Sequence, residues 1–319
     1  MKKVSVIMST HKTDSEQLDA SINSILNQTY KNIEFIIVFD GDREEYNRVN
    51  KKYGNKLKTI LNEKNMGLPT SLNIAIKNAS GEYIARMDGD DISIKDRIAK
   101  QVEYLNEHKD VYVCGTSAQL FGNINKKKTI YLKSAEEIKI QMLYKATLIH
   151  PTVMVRREIF DEYKYNEEFK CSQDFELWSR ISDKYQIAFL PFIGLNYRVH
   201  SKQASIEKRE EQSKLSKKVI KSNTNKITGK YNEKIYSTLC VLGGRDHLSK
   251  YNYKEISDNI DYIIEKNTSY DKKTLKKVLY NRYFELIIKN KIIPLQIFAF
   301  AKCFKIYNLI EIISMINRR

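Results

Sequence analysis

The feature that most constrains the fold of this chain is an alternation, in its first half, of short apolar runs with amphipathic segments. Runs of this length that are rich in β-branched and aromatic residues predict buried strands. They are Val4–Met8, Ile33–Phe39, the weaker Lys56–Leu61, Tyr83–Met87 and a run that begins at Val111. Strands that alternate with helices predict an α/β fold around a mostly parallel sheet.

The segments between these runs have helical spacing. The first predicted helix has one apolar face formed by Leu18, Ile22, Ile25 and Leu26. Asp14 or Ser15 is its expected N-cap, because both side chains can accept a hydrogen bond from the first free backbone N–H groups. A second helix is predicted over Gly67–Ala79. A third has an apolar stripe formed by Ile94, Ile98, Val102 and Leu105, and Ser93 is its expected cap.

Further along the chain the same patterns are shorter. The predicted elements are a helix over Lys139–Tyr144, a strand over Thr152–Val155, a helix over Phe175–Ser182 and strands over Ile187–Leu190 and Leu195–Val199. From Lys202 to about Thr228 small polar residues and lysines predict a weakly apolar helix at best. Helices are predicted over Ile256–Ile264 and Leu275–Ile288, Pro294 interrupts the pattern, and Ile297–Ile316 is strongly apolar.

The charge of the chain is unevenly distributed. Its 319 residues carry a net charge of +16, and 29% of them are charged. Lys and Arg outnumber Asp and Glu by 30 to 27 in residues 1–200 and by 25 to 12 in residues 201–319. We expect the basic part to face an anionic partner, either a membrane surface, a phosphorylated substrate or nucleic acid. Nucleic acid is the weakest of the three, because the sequence contains no motif for binding it.

Several classes of protein are disfavoured by missing patterns. The sequence has neither a G-x-G-x-x-G after the first strand nor a G-x-x-x-x-G-K-[ST], so dinucleotide-binding and P-loop proteins lose their main support. The longest uncharged apolar stretch, Ile292–Ala301, is about half of a membrane span, and no transmembrane helix is expected. Cys114, Cys171, Cys240 and Cys303 have no metal or disulfide spacing, which favours a reducing, cytoplasmic compartment.

An acidic turn follows the predicted strand Tyr83–Met87. Asp88, Asp90 and Asp91 lie within four residues, and Gly89 lets the backbone bend so that two carboxylates point the same way. Such carboxylates repel one another unless a cation or hydrogen bonds neutralise them, and oxygen ligands suit Mg²⁺ or Mn²⁺. Asp40, at the end of another predicted strand, supports a functional interpretation. The alternative is a solvated acidic turn that caps the next helix.

Eight segments of the chain form an ordered and spaced set of motifs. They are Val4–His11, Ser24–Tyr30, Glu34–Gly41, Asn65–Leu68 with Asn73, Arg86–Asp91, His150–Met154, Gln173–Trp178 and Tyr197–His200. With these segments, residues 1–205 resemble the family 2 glycosyltransferases of bacterial capsule, exopolysaccharide and O-antigen synthesis. The resemblance implies a GT-A fold, which is a Rossmann-like, mostly parallel central sheet flanked by helices, here with an α-helical C-terminal extension.

The resemblance also implies an inverting transfer of a sugar from a nucleotide diphosphate donor, usually a UDP-sugar, with Mn²⁺ or Mg²⁺ as cofactor. The residues that it assigns to the donor are Thr10, His11 and Asp40 at the base, Asn65 and Gly67 over the nucleoside, Asp88 at the ribose, Asp91 as a supporting carboxylate or donor-sugar contact, and Arg198 near the diphosphate. The residues that it assigns to the metal are Asp90, Asp88 and, from a closing loop, His200. Arg198 could equally be a surface arginine.

The general base that the resemblance implies is Asp174, at the start of a predicted helix. Relatives often have Glu-Asp where this chain has Gln173-Asp174, and a glutamine cannot relay a proton. Asp174 could instead be the N-cap of that helix. For His150 the resemblance implies a place in an acceptor-side loop. Gln173 could position the acceptor, and Trp178 could stack on a sugar ring. The alternatives are a structural role for His150 and core packing for Trp178.

We therefore expect a catalytic domain over residues 1–205, with a nucleotide-binding half (1–115) and an acceptor-binding half (116–205), and a basic helical region over residues 206–319. The expected acceptor is a saccharide on a polyprenyl diphosphate lipid, at the cytoplasmic face of the plasma membrane. The basic region would either bind that membrane or cap the catalytic domain. The alternative functions are an inactive binding module for nucleotide sugars or carbohydrates, and a sugar nucleotidyltransferase.

Overall fold

The structure is a computed structural model that describes residues 1–123, 126–128, 134–200, 203, 207–248 and 252–289. These residues form two compact units. The first unit contains residues 1–135 and 146–215, and the second contains residues 136–145 and the described residues from 216 to 289. The expected domain boundary at residue 205 stays a prediction.

The first unit is built around one sheet, which has nine strands in the described residues. The strands are β1 Val4–Thr10, β2 Ile33–Asp40, β3 Lys58–Asn62, β4 Tyr83–Asp88, β5 Ile92–Ser93, β6 Val111–Gly122, β7 Lys126–Lys128, β8 Met154–Arg156 and β9 Gln186–Val199. Their order is β3-β2-β1-β4-β8-β6-β9-β5, and β7 pairs with β6. Strands β1 to β4 are parallel, β6 is parallel to β9, and β8, β7 and β5 are antiparallel to their neighbours.

Helices flank this sheet and form the second unit. In chain order they are α1 Ser15–Leu26, α2 Arg43–Tyr53, α3 Leu68–Lys77, α4 Arg97–Glu107, α5 Ala135–Gln141, α6 Ile159–Glu162, α7 Gln173–Ile181, α8 Arg209–Thr228, α9 Glu233–Leu242, α10 Tyr253–Lys266 and α11 Lys272–Lys289. The predicted GT-A-like sheet, its flanking helices and the helical C-terminal region are thus confirmed.

The parallel strands are covered on both faces. Alternate residues of β1, such as Val4 and Met8, pack in one core with Leu18 and Ile22 of α1. Helix α3 packs against β1 and β2 and buries Leu72. Burial on both faces explains why these strands read as continuous apolar runs rather than as alternating ones.

Two local predictions were wrong. Ser93 does not cap α4, because Ile92–Ser93 is strand β5, which pairs with Leu195 and Asn196 of β9. The two strands predicted within residues 187–199 are one strand, β9, whose pairing with β6 contains register shifts between Thr116 and Ala118. In both cases a partner distant in sequence determines the local conformation.

The second unit is entirely helical in its described part. Asn223 of α8 donates hydrogen bonds to the backbone oxygens of Met142 and Leu143 at 3.0 and 3.2 Å, which ties residues 136–145 to this unit. The helices predicted over Ile256–Ile264 and Leu275–Ile288 lie within α10 and α11.

Some sequence predictions concern residues outside the described ranges. The apolar segments Ile292–Ala301 and Ile297–Ile316, with Pro294 and Cys303, all lie there. The other cysteines, Cys114, Cys171 and Cys240, are buried free thiols. None of the helices that the structure describes combines the length and the apolar composition needed for a membrane crossing.

Candidate functional site

Three strand ends meet at one edge of the sheet. In the β1–β2 pair Thr10 lies opposite Phe39, the residue before Asp40, and in the β1–β4 pair Ser9 lies opposite Asp88. The carboxyl ends of parallel strands are the usual ligand-binding edge of an α/β sheet. The sheet therefore brings Thr10, Asp40 and Asp88 to one place.

Asp40 holds the loop that follows β3. Its carboxylate is 2% exposed and accepts hydrogen bonds from Asn62 Nδ2 at 2.9 Å and from the backbone N–H groups of Met66 and Gly67, both at 2.8 Å. Gly67 has φ +90°, in the region that favours glycine. Asp40 thus fixes the loop that carries Asn65 and Gly67. Recognition of a nucleobase by Asp40 stays a prediction.

The loop after β1 lies against the same residues. His11 Nδ1 is 2.6 Å from the backbone oxygen of Asp40, and Thr10 Oγ1 donates to Thr13 Oγ1 at 2.8 Å. The first-strand loop and the Asp40 loop are therefore in direct contact, as the resemblance implied for a base pocket. Their role toward a nucleotide is not tested by these contacts.

Asp88 forms an ion pair with Arg86, a side chain with only 2% of its surface exposed. Burial raises the pKa of Asp88, and the positive charge of Arg86 opposes this effect. The negative charges of Asp90 and Asp174 also raise the pKa of Asp88, so the acidic turn and Asp174 interact electrostatically. Arg86 and Asp88 are two residues apart on β4, and a strand places such side chains on one face.

The end of β9 completes the acidic turn. His200 Nε2 is 3.0 Å from Asp90 Oδ2, and Arg198 Nε donates to the backbone oxygen of Asp90 at 2.8 Å. The backbone N–H of Arg198 donates to Asp91 Oδ1 at 2.8 Å, while Asp91 Oδ2 is buried and has no hydrogen-bond partner among the described residues. The structure therefore brings Arg198 and His200, more than 100 residues away in sequence, onto the turn.

A divalent cation fits the donor set at this turn only in part. The described residues contain no cluster of three or more His, Cys, Asp and Glu side chains arranged to hold a metal ion. Asp90 and His200 offer one carboxylate and one imidazole side by side, with side-chain exposures of 25% and 33%. Mg²⁺ and Mn²⁺ sites often use one or two protein ligands and complete their shell with substrate phosphates. The residues present fit such a site, whereas Asp88 is engaged by Arg86.

Asp174 is the second residue of α7, and the N-cap position is occupied by Ser172, with φ +60°. The alternative role of Asp174 as the N-cap is therefore wrong. A carboxylate in the first turn still interacts favourably with the positive end of the helix dipole. Asp174 is half-buried and Gln173 is 7% exposed. The roles of both residues in catalysis stay predictions.

Trp178 is completely buried, whereas His150 is half-buried. His150 Nε2 is 2.8 Å from Tyr165 Oη, and burial, with the charge of Arg86, holds the pKa of His150 well below its usual range. The imidazole is therefore neutral at physiological pH. Trp178 has no exposed surface and contacts His150 edge to face. A ring without an exposed face cannot stack on a sugar, so the structure places Trp178 in the core.

The sequence analysis assigned no role to three buried polar residues, Arg86, Arg97 and Tyr165. Arg97 is completely buried and donates to the backbone oxygens of Pro151 at 2.6 Å and Arg86 at 3.3 Å. Arg86 could have been recognised from the sequence, because it is an arginine inside an apolar run and lies two positions before Asp88. Tyr165 gave no signal, because it lies in a polar loop far from His150 in sequence.

The sequence matches the family model of glycosyl transferase family 2 over residues 5–164. An uncharacterised glycosyltransferase of Methanocaldococcus jannaschii is 32% identical over 69% of this chain and 79% of its own length. The O-antigen biosynthesis glycosyltransferase WbnJ of Escherichia coli is 35% identical over 62% of this chain and 80% of its own length.

Solved structures share the fold. TarS of S. aureus (residues 1–349, in complex with UDP) has a TM-score of 0.58 with this chain at 19% identity, over 96% of this chain and 89% of TarS. A mannosyltransferase of Pyrobaculum calidifontis, in complex with GDP-Man and Mn²⁺, has a TM-score of 0.58 at 13% identity, over 96% and 87% of the two chains. With the family match, the chain is a glycosyltransferase and belongs to glycosyl transferase family 2.

Proposed function

We propose that this glycosyltransferase moves a sugar from a nucleotide diphosphate donor to a saccharide acceptor, with inversion and with help from a divalent cation. The observation that carries the proposal is that Asp88, Asp90 and His200 lie together at the carboxyl end of β4. The negative charge of Asp174 raises the pKa of Asp88, so Asp174 lies near enough to this group to interact with it. This arrangement offers a cation site and a separate carboxylate, which are the two groups that such a transfer needs.

Asp90 and His200 would hold the cation. When bound, it would offset the charge that develops on the departing diphosphate. Arg198 adds a second positive charge, and its hydrogen bonds to Asp90 and Asp91 fix it at the turn. Asp88, oriented by its ion pair with Arg86, would contact the ribose of the donor.

Asp174 would act as the general base. A carboxylate oxygen of Asp174 would accept the proton of the attacking acceptor hydroxyl as that oxygen bonds to the anomeric carbon of the donor sugar. The neighbouring carboxylates make this site strongly negative before a donor and a cation bind. Proton transfer to Asp174 is therefore favoured while the negative leaving group is still bound.

The Asp40 pocket would bind the nucleoside. Thr10, His11, Asn65 and Gly67 surround Asp40, and the hydrogen bonds of Asp40 to Met66 and Gly67 hold the loop in place. The structural neighbours include complexes with UDP, UDP-GlcNAc and GDP-Man, which supports a nucleotide-sugar donor and leaves uracil and guanine both open as its base. We favour UDP-sugars.

The acceptor would be a growing surface polysaccharide on a polyprenyl diphosphate lipid, with the enzyme peripheral on the cytoplasmic face of the plasma membrane. The name of the Escherichia coli relative, an O-antigen biosynthesis enzyme, supports the class of acceptor. The excess of Lys and Arg in residues 201–319 supports an anionic surface as partner.

The test is a screen of UDP-, GDP- and dTDP-sugars for donor hydrolysis, with Mn²⁺, Mg²⁺ or excess EDTA. We expect hydrolysis of one donor class that depends on the cation, and loss of metal-dependent donor binding in Asp90→Ala. Asp110→Ala, in an exposed turn outside the site, is the matched control and should behave as wild type. Full turnover in excess EDTA would exclude the cation.

A further inference from the structure

A groove of about 500 Å³ runs beside α3 in the first unit. One wall is α3 itself, from Thr70 in its first turn to Ala79 just beyond its end, and the other wall is the segment of residues 157–167. The volume of the groove is in the range of small-ligand sites.

The walls of this groove carry three exposed cations, Lys77, Arg157 and Lys164. None of the three forms an ion pair with any residue that the structure describes. Arg180 and Lys184, by contrast, belong to the same part of the fold and are paired with Glu176 and Glu162 at 2.7 Å. The groove therefore carries three positive charges that no described acidic side chain pairs with.

Two acidic residues, Asp161 and Glu167, also line the groove, so its lining has a net charge of +1. Glu167 Oε1 accepts a hydrogen bond from Asn73 Nδ2 at 3.1 Å, which fixes it against α3. Unpaired positive charges in a concave surface concentrate field and attract anions. The groove thus has the charge of a site for a ligand that is acidic but not densely charged.

The remaining lining combines polar, aromatic and apolar side chains. Thr70 adds a hydroxyl group, and the half-buried ring of Tyr163 adds an aromatic surface. Pockets for polar ligands combine such an apolar surface with a few placed polar groups. Ile74, Ile76, Ala79 and Phe160 form the apolar part of the lining, and the ring of Tyr163 offers an aromatic surface on which a sugar ring can pack.

Asn73 connects the groove to the candidate base. Its Oδ1 accepts from the backbone N–H of Tyr165 at 3.0 Å, and its Nδ2 donates to the backbone oxygen of Tyr165 at 2.9 Å. The chain continues from Tyr165 through Ser172 to Asp174 at the start of α7. The wall of the groove and the segment that carries Asp174 are therefore one continuous stretch of chain.

We propose that this groove binds an acidic saccharide, namely a carboxylate- or phosphate-bearing part of the acceptor. The proposal rests on the proposed function, because it treats the bound saccharide as the acceptor of the transfer. Lys77, Arg157 and Lys164 would pair with the acidic groups, and Tyr163 would pack against a sugar ring.

The test measures binding of free oligosaccharides to the full chain. The probes are an oligogalacturonate, a phosphomannan oligosaccharide and a neutral malto-oligosaccharide of matched length. We expect the two acidic probes to bind, more weakly as salt is raised, and the neutral probe to bind at least tenfold more weakly. The two acidic probes distinguish a carboxylate from a phosphate as the preferred group.

Charge reversal locates the binding. Lys77→Glu, Arg157→Glu and Lys164→Glu should each weaken binding of the acidic probe by roughly twofold to tenfold, the scale of exposed ion pairs. Lys51→Glu is the matched control, since Lys51 is also an exposed lysine in the last turn of a helix of the same unit. It should bind the probe as wild type does.

Each other outcome overturns the proposal. Absence of binding of both acidic probes, equal binding of the neutral probe, or equal losses in Lys51→Glu would show that the groove is not an acidic saccharide site. Groove variants that lose binding only to anionic lipid vesicles would make it a headgroup site. Donor hydrolysis in the same variants is a separate measurement, so loss of the proposed function and loss of groove binding are distinguishable.

Discussion

Arg86 and Arg97 are two arginines that lie almost without exposed surface beneath the acidic turn. Arg86 pairs with Asp88, and Arg97 donates hydrogen bonds to the backbone oxygens of Pro151 and Arg86. Burial lowers the pKa of Arg97 to about 10, so its guanidinium is still charged at neutral pH. Two buried positive charges offset part of the repulsion among Asp88, Asp90 and Asp91.

The Asp174→Asn substitution tests whether Asp174 is the general base. The amide keeps the shape of the side chain but cannot accept a proton, so we expect transfer to fall by roughly 10²–10⁴-fold. The folded state and the affinity for the donor should be unchanged. Asp183→Asn, in the turn that follows α7, is the control and should transfer sugar as wild type does. A wild-type rate in Asp174→Asn would show that another group is the base.

Glu34 makes the stability of the first unit depend on pH. Burial raises the pKa of Glu34, but hydrogen bonds from Ser5, Ser80 and Lys3 outweigh it and lower that pKa from 4.5 to about 2. The stabilisation is therefore complete above about pH 4.5 and is lost as the pH falls from there to about 2. Each unit of pKa shift corresponds to about 1.4 kcal/mol. The ionised Glu34 therefore adds up to about 3 kcal/mol to the free energy of unfolding.

Urea unfolding of wild type and Glu34→Gln between about pH 7 and about pH 3.5 measures this contribution. The difference in unfolding free energy between the two proteins should be constant above about pH 5 and should shrink below it. Glu63→Gln, whose side chain is 78% exposed, is the control for removal of a charge. A difference that does not change with pH would mean that Glu34 is not ionised in its hydrogen-bonded form.

The sequence allowed some residue-scale features to be predicted because they are local. Asp14 caps α1 as expected, and its Oδ1 accepts from Glu16 N and Gln17 N at 3.1 Å. The predictions that Ser93 and Asp174 are N-caps were wrong. Ser93 pairs with a strand about 100 residues away, and Ser172 occupies the N-cap position before Asp174. The Tyr165–His150 contact depends on the path of a loop, which no local pattern encodes.

At the scale of elements, α3 connects the two sides of the candidate site. The helix begins directly after Gly67, which Asp40 holds, and Asn73 in its middle binds both backbone groups of Tyr165. One rigid helix thus touches the loop proposed to bind the nucleoside and the segment that leads to Asp174.

Asn73→Ala tests this connection. The substitution leaves the N–H and C=O of Tyr165 without their partner, so we expect a loss of about 1–3 kcal/mol in stability. Hydrogen exchange of residues 163–172 should become faster, and transfer should fall by more than donor affinity does. Asn78→Ala is the control, because Asn78 Nδ2 donates only to Ile74 of its own helix. Unchanged exchange in residues 163–172 would show that the hydrogen bonds of Asn73 to Tyr165 do not hold this segment.

Helices and strands with a clear pattern of apolar residues were predicted well, and a helix without such a pattern was missed. The strands β1, β2 and β4 match their apolar runs to within two residues. Helix α2 was not predicted, since it buries only Glu45, Val49 and Tyr53. Polar contacts with α1 add to this burial, because Arg48 and Tyr53 donate to Asp19 at 3.0 and 2.9 Å. Such polar contacts between helices leave no periodic signal.

At the scale of the whole molecule, most of the net charge lies outside the sheet. Residues 201–319 carry 25 Lys and Arg against 12 Asp and Glu, and within them Ile297–Ile316 is strongly apolar but interrupted by lysines. Basic and apolar residues together are typical of segments that lie at a membrane interface. The end of this region lies outside the described residues, so the membrane role is a prediction from sequence.

Co-sedimentation with lipid vesicles tests that prediction. Each Lys or Arg near an anionic surface contributes roughly 1 kcal/mol, and buried apolar side chains add to this attraction. We expect the full chain to bind anionic vesicles more tightly than neutral ones and to lose this binding as salt is raised, because salt screens the attraction. A chain that ends at Lys289, checked for an unchanged circular dichroism spectrum, should bind less. If neither chain binds vesicles at any salt concentration, the membrane role of the basic region is excluded and its role as a structural cap is favoured.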